Sequence, residues 1–185
     1  MKDKLAHISK FLSLVLRHQP EVIGLPLDAE GFADVSDLIQ RINNHVKDFV
    51  LTSALLDEVV STNNKKRFSY NDDKTKIRAV QGHSIEVDLK LEPKTPPDKL
   101  YHGTATRFEL DILKYGLKKM GRQHVHLTDD AARAMKVGSR HGEPFVYTIL
   151  AKEMQEDGYK FYQAENGVWL TEFVPCEYLL MEGKS

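Results

Sequence analysis

The sequence predicts an α+β protein built as two lobes, and three observations predict it. Three segments with helical spacing of apolar residues come first and are followed by a pair of short alternating segments. A polar, helix-breaking run, Glu92-Pro93-Lys94-Thr95-Pro96-Pro97, then interrupts the pattern. Beyond it, short strand-like segments alternate with short helical ones. A length of 185 residues holds one ordinary domain or two small lobes, and 41% hydrophobic residues suffice for a packed core. The boundary is set in the proline-rich run, giving lobes of residues 1–92 and 98–185.

In the first lobe, Leu5, Ile8, Phe11, Leu12, Val15 and Leu16 recur at helical spacing, and Pro20 disfavours helical geometry at Gln19. The spacing predicts a helix over about residues 3–18. A second helix is expected from Val35, Leu38, Ile39 and Ile42 after Asp34, and a third from Leu55, Leu56, Val59 and Val60 after Thr52. Arg67-Phe68-Ser69-Tyr70 and Lys76-Ile77-Arg78-Ala79 then form a hairpin around Asn71, Asp72 and Asp73, with Phe68 and Tyr70 facing the helices. Three helices and a two-stranded wing outline a winged-helix unit, which often contacts nucleic acid. Alternation of Ile85, Val87, Leu89 and Leu91 predicts one further strand.

In the second lobe, strands are expected at Leu100-Tyr101 leading into Gly103, around Val125 and Leu127, over Phe145–Leu150, and at Val168-Trp169-Leu170. Helices fall between them, around Phe108–Tyr115 with Gly116 as C-cap, and around Ala131–Val137 after Asp129 with Gly138 as C-cap. The lobe is therefore α+β.

Bulk charge excludes a uniformly phosphate-seeking surface, because the net charge is -1 and the pI about 6.7. Any nucleic-acid contact must come from locally clustered Lys and Arg. The single cysteine, Cys176, rules out an intrachain disulfide and a Cys-rich zinc module, and is expected as a packed thiol in a reducing compartment. The apolar run Phe11–Leu16 is followed by Arg17 and His18, not by a cleavage site, so it reads as a helix face and not as a signal peptide. No run of eighteen apolar residues occurs, so no membrane span is predicted. The expectation is a cytoplasmic monomer.

Cationic and imidazole groups are uneven: Arg17-His18, Lys65-Lys66-Arg67, Arg122 with His124 and His126, and Arg140-His141 fall at element ends or on one strand face. Guanidinium forks and ammonium groups converging from several elements suit a phosphate. Each such residue also has a plain reading as a solvated side chain, and Arg17 and His18 complement a helix C-terminus. Period-2 spacing puts Lys65 and Arg67 on the face opposite Phe68 and Tyr70, so that both can act on one ligand. His124 and His126 likewise share a face, which invites a metal reading with His102 or His141 as third ligand. Arg122 would repel a cation there and no carboxylates are arranged nearby, so no metal is expected. Glycine-rich dinucleotide and Walker patterns are absent, as is a Gly-x-Ser-x-Gly elbow. A dinucleotide would need a fold other than the doubly wound one.

Several segments are similar, in order, to the motifs of the RNA 2'-phosphotransferases, the KptA family. They are Ser9–His18, Lys65–Tyr70, Ile77–Ser84, Tyr101–Thr104, Arg122–Leu127, Val137–Gly142 and Asn166–Thr171, spread over nearly the whole chain. The resemblance implies a winged-helix lobe followed by a lobe like the ADP-ribosyltransferases, which bind NAD on a split antiparallel sheet. It implies NAD as co-substrate and an RNA bearing an internal 2'-phosphate, of the tRNA splice-junction type. The RNA phosphate would attack the ribose carbon bearing nicotinamide. The neighbouring 2''-hydroxyl would then attack the phosphate, giving 2'-OH RNA and ADP-ribose 1'',2''-cyclic phosphate.

Carried over by position, the resemblance assigns Arg17, His18, Lys65, Arg67 and Arg122 to the 2'-phosphate, in a cleft fed by both lobes. His102, Gly103 and Thr104 would hold the nicotinamide-side ribose, with the bare Gly103 letting backbone approach the ligand. His126 and Val168 would occupy the remaining positions of the transferase triad. Val168 in place of a carboxylate fits a phosphate nucleophile, which needs no general base. Thr128 keeps the hydroxyl of the serine common at that point, and Arg140 would contact NAD or RNA. Two other readings stay open: transfer of ADP-ribose that stops after the first step, and a winged-helix binder whose second lobe only senses a ligand.

Overall fold

The structure, a computed structural model, describes residues 2–181, so the last four residues of the expected second lobe lie outside the described residues. The chain divides between Lys90 and Leu91 into two compact units.

The first unit starts with α1 (Lys2–Arg17), whose Ile8, Leu12, Val15 and Leu16 are fully buried. Their i, i+4, i+7, i+8 spacing makes one apolar stripe, worth about 1.5 to 3 kcal/mol per side chain in burial. Gln19 leaves helical geometry before Pro20, and a 3-10 turn (Pro20–Ile23) ends at Gly24 with φ +61°. Next come β1 (Ala33–Asp34), α2 (Val35–His45) and α3 (Ser53–Thr62). The Asp34 carboxylate accepts from Asp37 N and the Thr52 hydroxyl from Leu55 N, so both expected caps satisfy orphan amides. The hairpin pairs β2 (Phe68–Tyr70) with β3 (Lys76–Ala79), Phe68 opposite Ala79 and Tyr70 opposite Ile77. β1 joins the other edge of β3, an addition that two residues of sequence do not signal. Phe68 is buried and Tyr70 packs against the core, where burial and the Asp57 carboxylate push its phenol up.

Ile85–Leu91 is not a strand. Val87 and Leu89 are buried in alternation as expected, but the backbone is committed elsewhere. Asp88 N donates to Ala29 O, the Asp88 carboxylate accepts from Lys90 N, and Lys90 sits at φ +55°. The period reported burial; no ladder was available to it.

The second unit is made of small antiparallel sheets. β4 (Leu100–Ala105), β7 (Pro144–Ile149) and β11 (Leu179–Met181) form one, ordered β11-β7-β4. β6 (Val125–Leu127), β8 (Phe161–Gln163) and β9 (Trp169–Thr171) form a second, ordered β6-β9-β8. A bridge between Tyr101 and Thr128 joins β4 to the end of β6. β5 (Leu117–Lys118) pairs with β10 (Phe173–Val174). The helices are α4 (Glu109–Tyr115), α5 (Ala131–Gly138) and α6 (Ala151–Glu156). Leu100, Tyr147, Ile149, Phe161 and Trp169 lie at the centre of its core. The proline-rich run belongs to this unit: Lys94 N donates to Phe161 O and its ammonium bonds Gln163.

Two helix ends differ from expectation. Asp130, not Asp129, caps α5, accepting from Ala132 N and Arg133 N. Gly138 is the last residue of α5 and Ser139 the C-cap. A Cβ on Gly138 would stand 2.5 Å from Thr104 O, so close packing of α5 on β4 explains this glycine. Cys176 is exposed, not packed, because it lies on a 3-10 turn (Cys176–Tyr178) whose buried neighbours are Pro175 and Leu179.

Candidate functional site

Among the described residues, each unit brings together cationic and imidazole groups. In the first, Arg17 ends α1 and His18 follows it, both half-buried. The segment after β3 turns back onto them: Ser84 N donates to Arg17 O at 3.0 Å, and Ser84 Oγ lies 2.8 Å from His18 Nδ1. His83, the residue before, is 1% exposed. Burial pushes its imidazole down to about 4, with Arg17, His18 and Arg78 adding positive charge nearby. Among the described residues, neither His83 ring nitrogen has a hydrogen-bond partner, nor has the buried Gln81 Oε1. Arg78, on β3, stacks its guanidinium 4.6 Å from the Phe32 ring centre.

Arg67 lies just before β2, half-buried, with its carbonyl accepting from Val80 N. The expected pairing of Lys65 with Arg67 on one strand face does not hold. Lys65 is exposed in a turn, its N–H bonded to the Asn63 side chain, and Lys66 takes φ +43°. Period-2 geometry cannot be extended through a left-handed residue, so Lys65 has no strand face to share.

The second cluster lies where β4 meets β6. His102 Nδ1 donates to His126 O at 2.9 Å, so the neutral ring keeps its lone pair on Nε2. Burial holds His102 below the usual histidine range; the bond to His126 opposes this, and Arg122 and His141 reinforce it. Arg122 Nη1 lies 3.1 Å from His126 Nδ1. A guanidinium can only donate, so Nδ1 accepts and the His126 proton resides on Nε2. His124 stands apart from this pair, its ring 5.7 Å from that of Tyr162, and burial and Lys119 lower its basicity. Among the described residues no three His, Cys, Asp or Glu side chains are grouped to hold a metal ion.

Gly103 is tightly constrained. A Cβ there would fall 1.7 Å from Ala134 O, so the side where a side chain would project is filled by α5. Any ligand contact of Gly103 must then use its main chain. Thr104 is buried in β4, and the Thr128 main chain forms both bridge bonds to Tyr101. Val168 lies one residue before β9, its carbonyl accepting from Ala164 N. Arg140 is exposed in the loop after α5, one residue from His141.

The model of the RNA 2'-phosphotransferase, Tpt1 / KptA family, matches residues 3–173. The chain belongs to this family. Relatives described as probable RNA 2'-phosphotransferases support the match. The chain is similar to one from Flavobacterium johnsoniae, 57% identical over 93% of each chain. It is also similar to one from Acaryochloris marina, 53% identical over 97% of this chain and 98% of the relative, and to one from Escherichia coli O6:K15:H31, 55% identical over 95% of each. In this member of the RNA 2'-phosphotransferase family, the approach of Ser84 to Arg17 and His18 has no local signature in the sequence. His83 and Ser84 fall within the Ile77–Ser84 segment, but only the structure shows what they touch. No described helix of this family member is long and apolar enough to cross a membrane.

Proposed function

We propose that the protein removes an internal 2'-phosphate from RNA with NAD as co-substrate, in two steps. A phosphate oxygen attacks the ribose carbon bearing nicotinamide, and nicotinamide leaves. The adjacent 2''-hydroxyl then attacks phosphorus, the RNA 2'-oxygen leaves with a proton, and ADP-ribose 1'',2''-cyclic phosphate is formed. The winged-helix reading of the first unit is supported by its order of three helices and a hairpin, and the ADP-ribosyltransferase-like reading of the second by two antiparallel sheets meeting at β4 and β6.

The observation that carries the NAD reading is the His102–His126–Arg122 arrangement. Held neutral with its lone pair on Nε2, His102 can accept from a ribose hydroxyl, while the His126 Nε2–H is a donor. This donor and acceptor set fits the sugar of a nucleotide without a glycine-rich loop. Thr104, Thr128, Val168 and the Gly103 main chain are the further contacts assigned by family resemblance, with Arg140 toward NAD or RNA. In the first unit Arg17, His18 and Arg67 hold the 2'-phosphate and stabilise charge on its oxygens; the resemblance assigns Arg122 to the same phosphate. Lys65, exposed in the turn before β2, adds a further positive charge.

The test is to incubate the protein with NAD and a 2'-phosphorylated oligonucleotide. Nicotinamide release in step with loss of the 2'-phosphate is expected. Intact NAD alongside intact oligonucleotide contradicts the reading and leaves a binding protein.

A further inference from the structure

The stretch from Ile112 to Thr128 holds no Asp or Glu, in a chain with 27 of them, yet carries Lys114, Lys118, Lys119 and Arg122. All four cations are exposed. The fold gathers part of this charge onto one aromatic ring. Tyr115 ends α4, Gly116 turns the chain at φ +76°, and β5 pairs Lys118 with Phe173 of β10. A Cβ at Gly116 would stand 2.3 Å from Val174 O, so the reversal is packed closely on β10 and needs a glycine. As a result the Lys114 and Lys118 ammonium groups lie 5.0 and 4.8 Å from the centre of the Tyr115 ring, which is itself 48% exposed. The negative face of the ring offsets the repulsion between the two like charges. Complementing the C-terminus of α4 accounts for Lys114 but not for Lys118. Lys119 pairs with Glu172 at 3.7 Å, whereas no described carboxylate lies within ion-pair distance of Lys114 or Lys118.

We propose that Lys114, Tyr115 and Lys118 form a docking site for a backbone phosphate of the RNA strand flanking the nucleotide that bears the 2'-phosphate. The inference rests on the proposed RNA substrate. A phosphodiester offers only acceptor oxygens, and two ammonium groups offer only donors. The place suits a flanking strand, because a short turn links the pair to the second cluster. Arg122 N donates to Lys119 O at 3.1 Å, a turn that keeps those two Cα atoms within about 7 Å, and the Arg122 guanidinium reaches His126. All three side chains lie on open surface, which suits a strand running across it, whereas a small molecule such as NAD is held in a concave site. The pyrophosphate of NAD presents the same oxygens, so measurement must separate the two sources.

Fluorescence anisotropy of a labelled single-stranded oligoribonucleotide with one internal 2'-phosphate, titrated with the full chain in the absence of NAD, reads binding without turnover. Lys114→Gln/Lys118→Gln should raise Kd about tenfold, the scale of one charge-assisted contact. The negative slope of log K against log salt should shrink by about 0.7, the share of one phosphate on a single strand. Lys114→Arg/Lys118→Arg should keep both values, and Tyr115→Phe, which retains the ring, should bind more tightly than Tyr115→Leu. The loss should vanish with a 2'-phosphorylated dinucleotide, which lacks flanking phosphates. Wild-type Kd and salt slope in the glutamine pair overturn the inference, as does an equal loss for the dinucleotide and the longer strand. A raised Kd for NAD with RNA affinity unchanged also overturns it and assigns the pair to the pyrophosphate. Should the wild type consume no NAD, the proposed function falls, while the RNA affinities and salt slopes still decide whether this surface docks a strand.

Discussion

Arg122 and Arg67 are the residues on which the proposed chemistry depends most, and Arg122 has a visible structural partner. Its guanidinium donates to His126 Nδ1. Arg122→Ala removes that bond together with the charge-assisted one proposed for the phosphate. Bonds to charged groups are worth roughly 1.5 to 3 kcal/mol, so turnover should drop about ten- to two-hundredfold, and Arg67→Ala should act alike. Arg122→Lys should not restore the rate, since an ammonium lacks the planar fork. Single-turnover rates with saturating NAD measure this; wild-type rates in either alanine variant would remove the residue from the mechanism. His83 makes a separate claim about stability. Its pKa is lowered from 6.5 to about 4, so between those values the unfolded chain binds the proton and the folded chain does not. The contribution of neutral His83 is therefore present above about pH 6.5 and lost progressively as pH falls toward 4, by about 3 kcal/mol in all. Urea midpoints across that range should decline less steeply in His83→Gln than in the wild type. Equal slopes would contradict the burial argument.

At the scale of elements, the contact of α5 with β4 governs the second cluster, because β4 carries His102, Gly103 and Thr104. Gly103→Ala would place a methyl group 1.7 Å from Ala134 O, which is main chain and cannot turn aside. Strand and helix must separate, and the variant should lose at least the roughly 1 to 3 kcal/mol typical of overpacking. Thermal denaturation checks this, and an unchanged Tm would mean that α5 does not pack on β4 as described. This contact also marks where sequence reading stops. Gly103 and Gly138 are visible as glycines, but nothing local says that Gly103 faces the main chain of Ala134 and Gly138 that of Thr104. The long periodic segments, Leu5–Leu16 above all, were legible because many residues repeat one geometric statement. Ile85–Leu91 misled because alternating burial needs only an extended chain, whereas a strand needs a partner. Lys65 misled because Lys66, not a glycine, takes the left-handed conformation that breaks the period. Strands of two or three residues, such as β1, β5 and β10, exist only through pairing with distant segments and have no local signature. In the candidate site, residue identities were legible from motifs, while the tautomers of His102 and His126 and the approach of Ser84 to His18 needed coordinates.

For the whole molecule, a net charge of -1 gives no general attraction to a polyanion, so the proposed phosphate contact has to come from locally clustered cations. The proposed function asks for recognition of one phosphate group, which a few side chains can supply. The central claim is that this phosphate passes to the ADP-ribose part of NAD and not to water. An oligonucleotide carrying 32P only in its internal 2'-phosphate, incubated with the full chain and NAD, tests it most directly. The account predicts that all label lost from the RNA appears in ADP-ribose 1'',2''-cyclic phosphate, with one nicotinamide released per label transferred. Label recovered as inorganic phosphate, or retained on a stable ADP-ribosylated RNA, would contradict it.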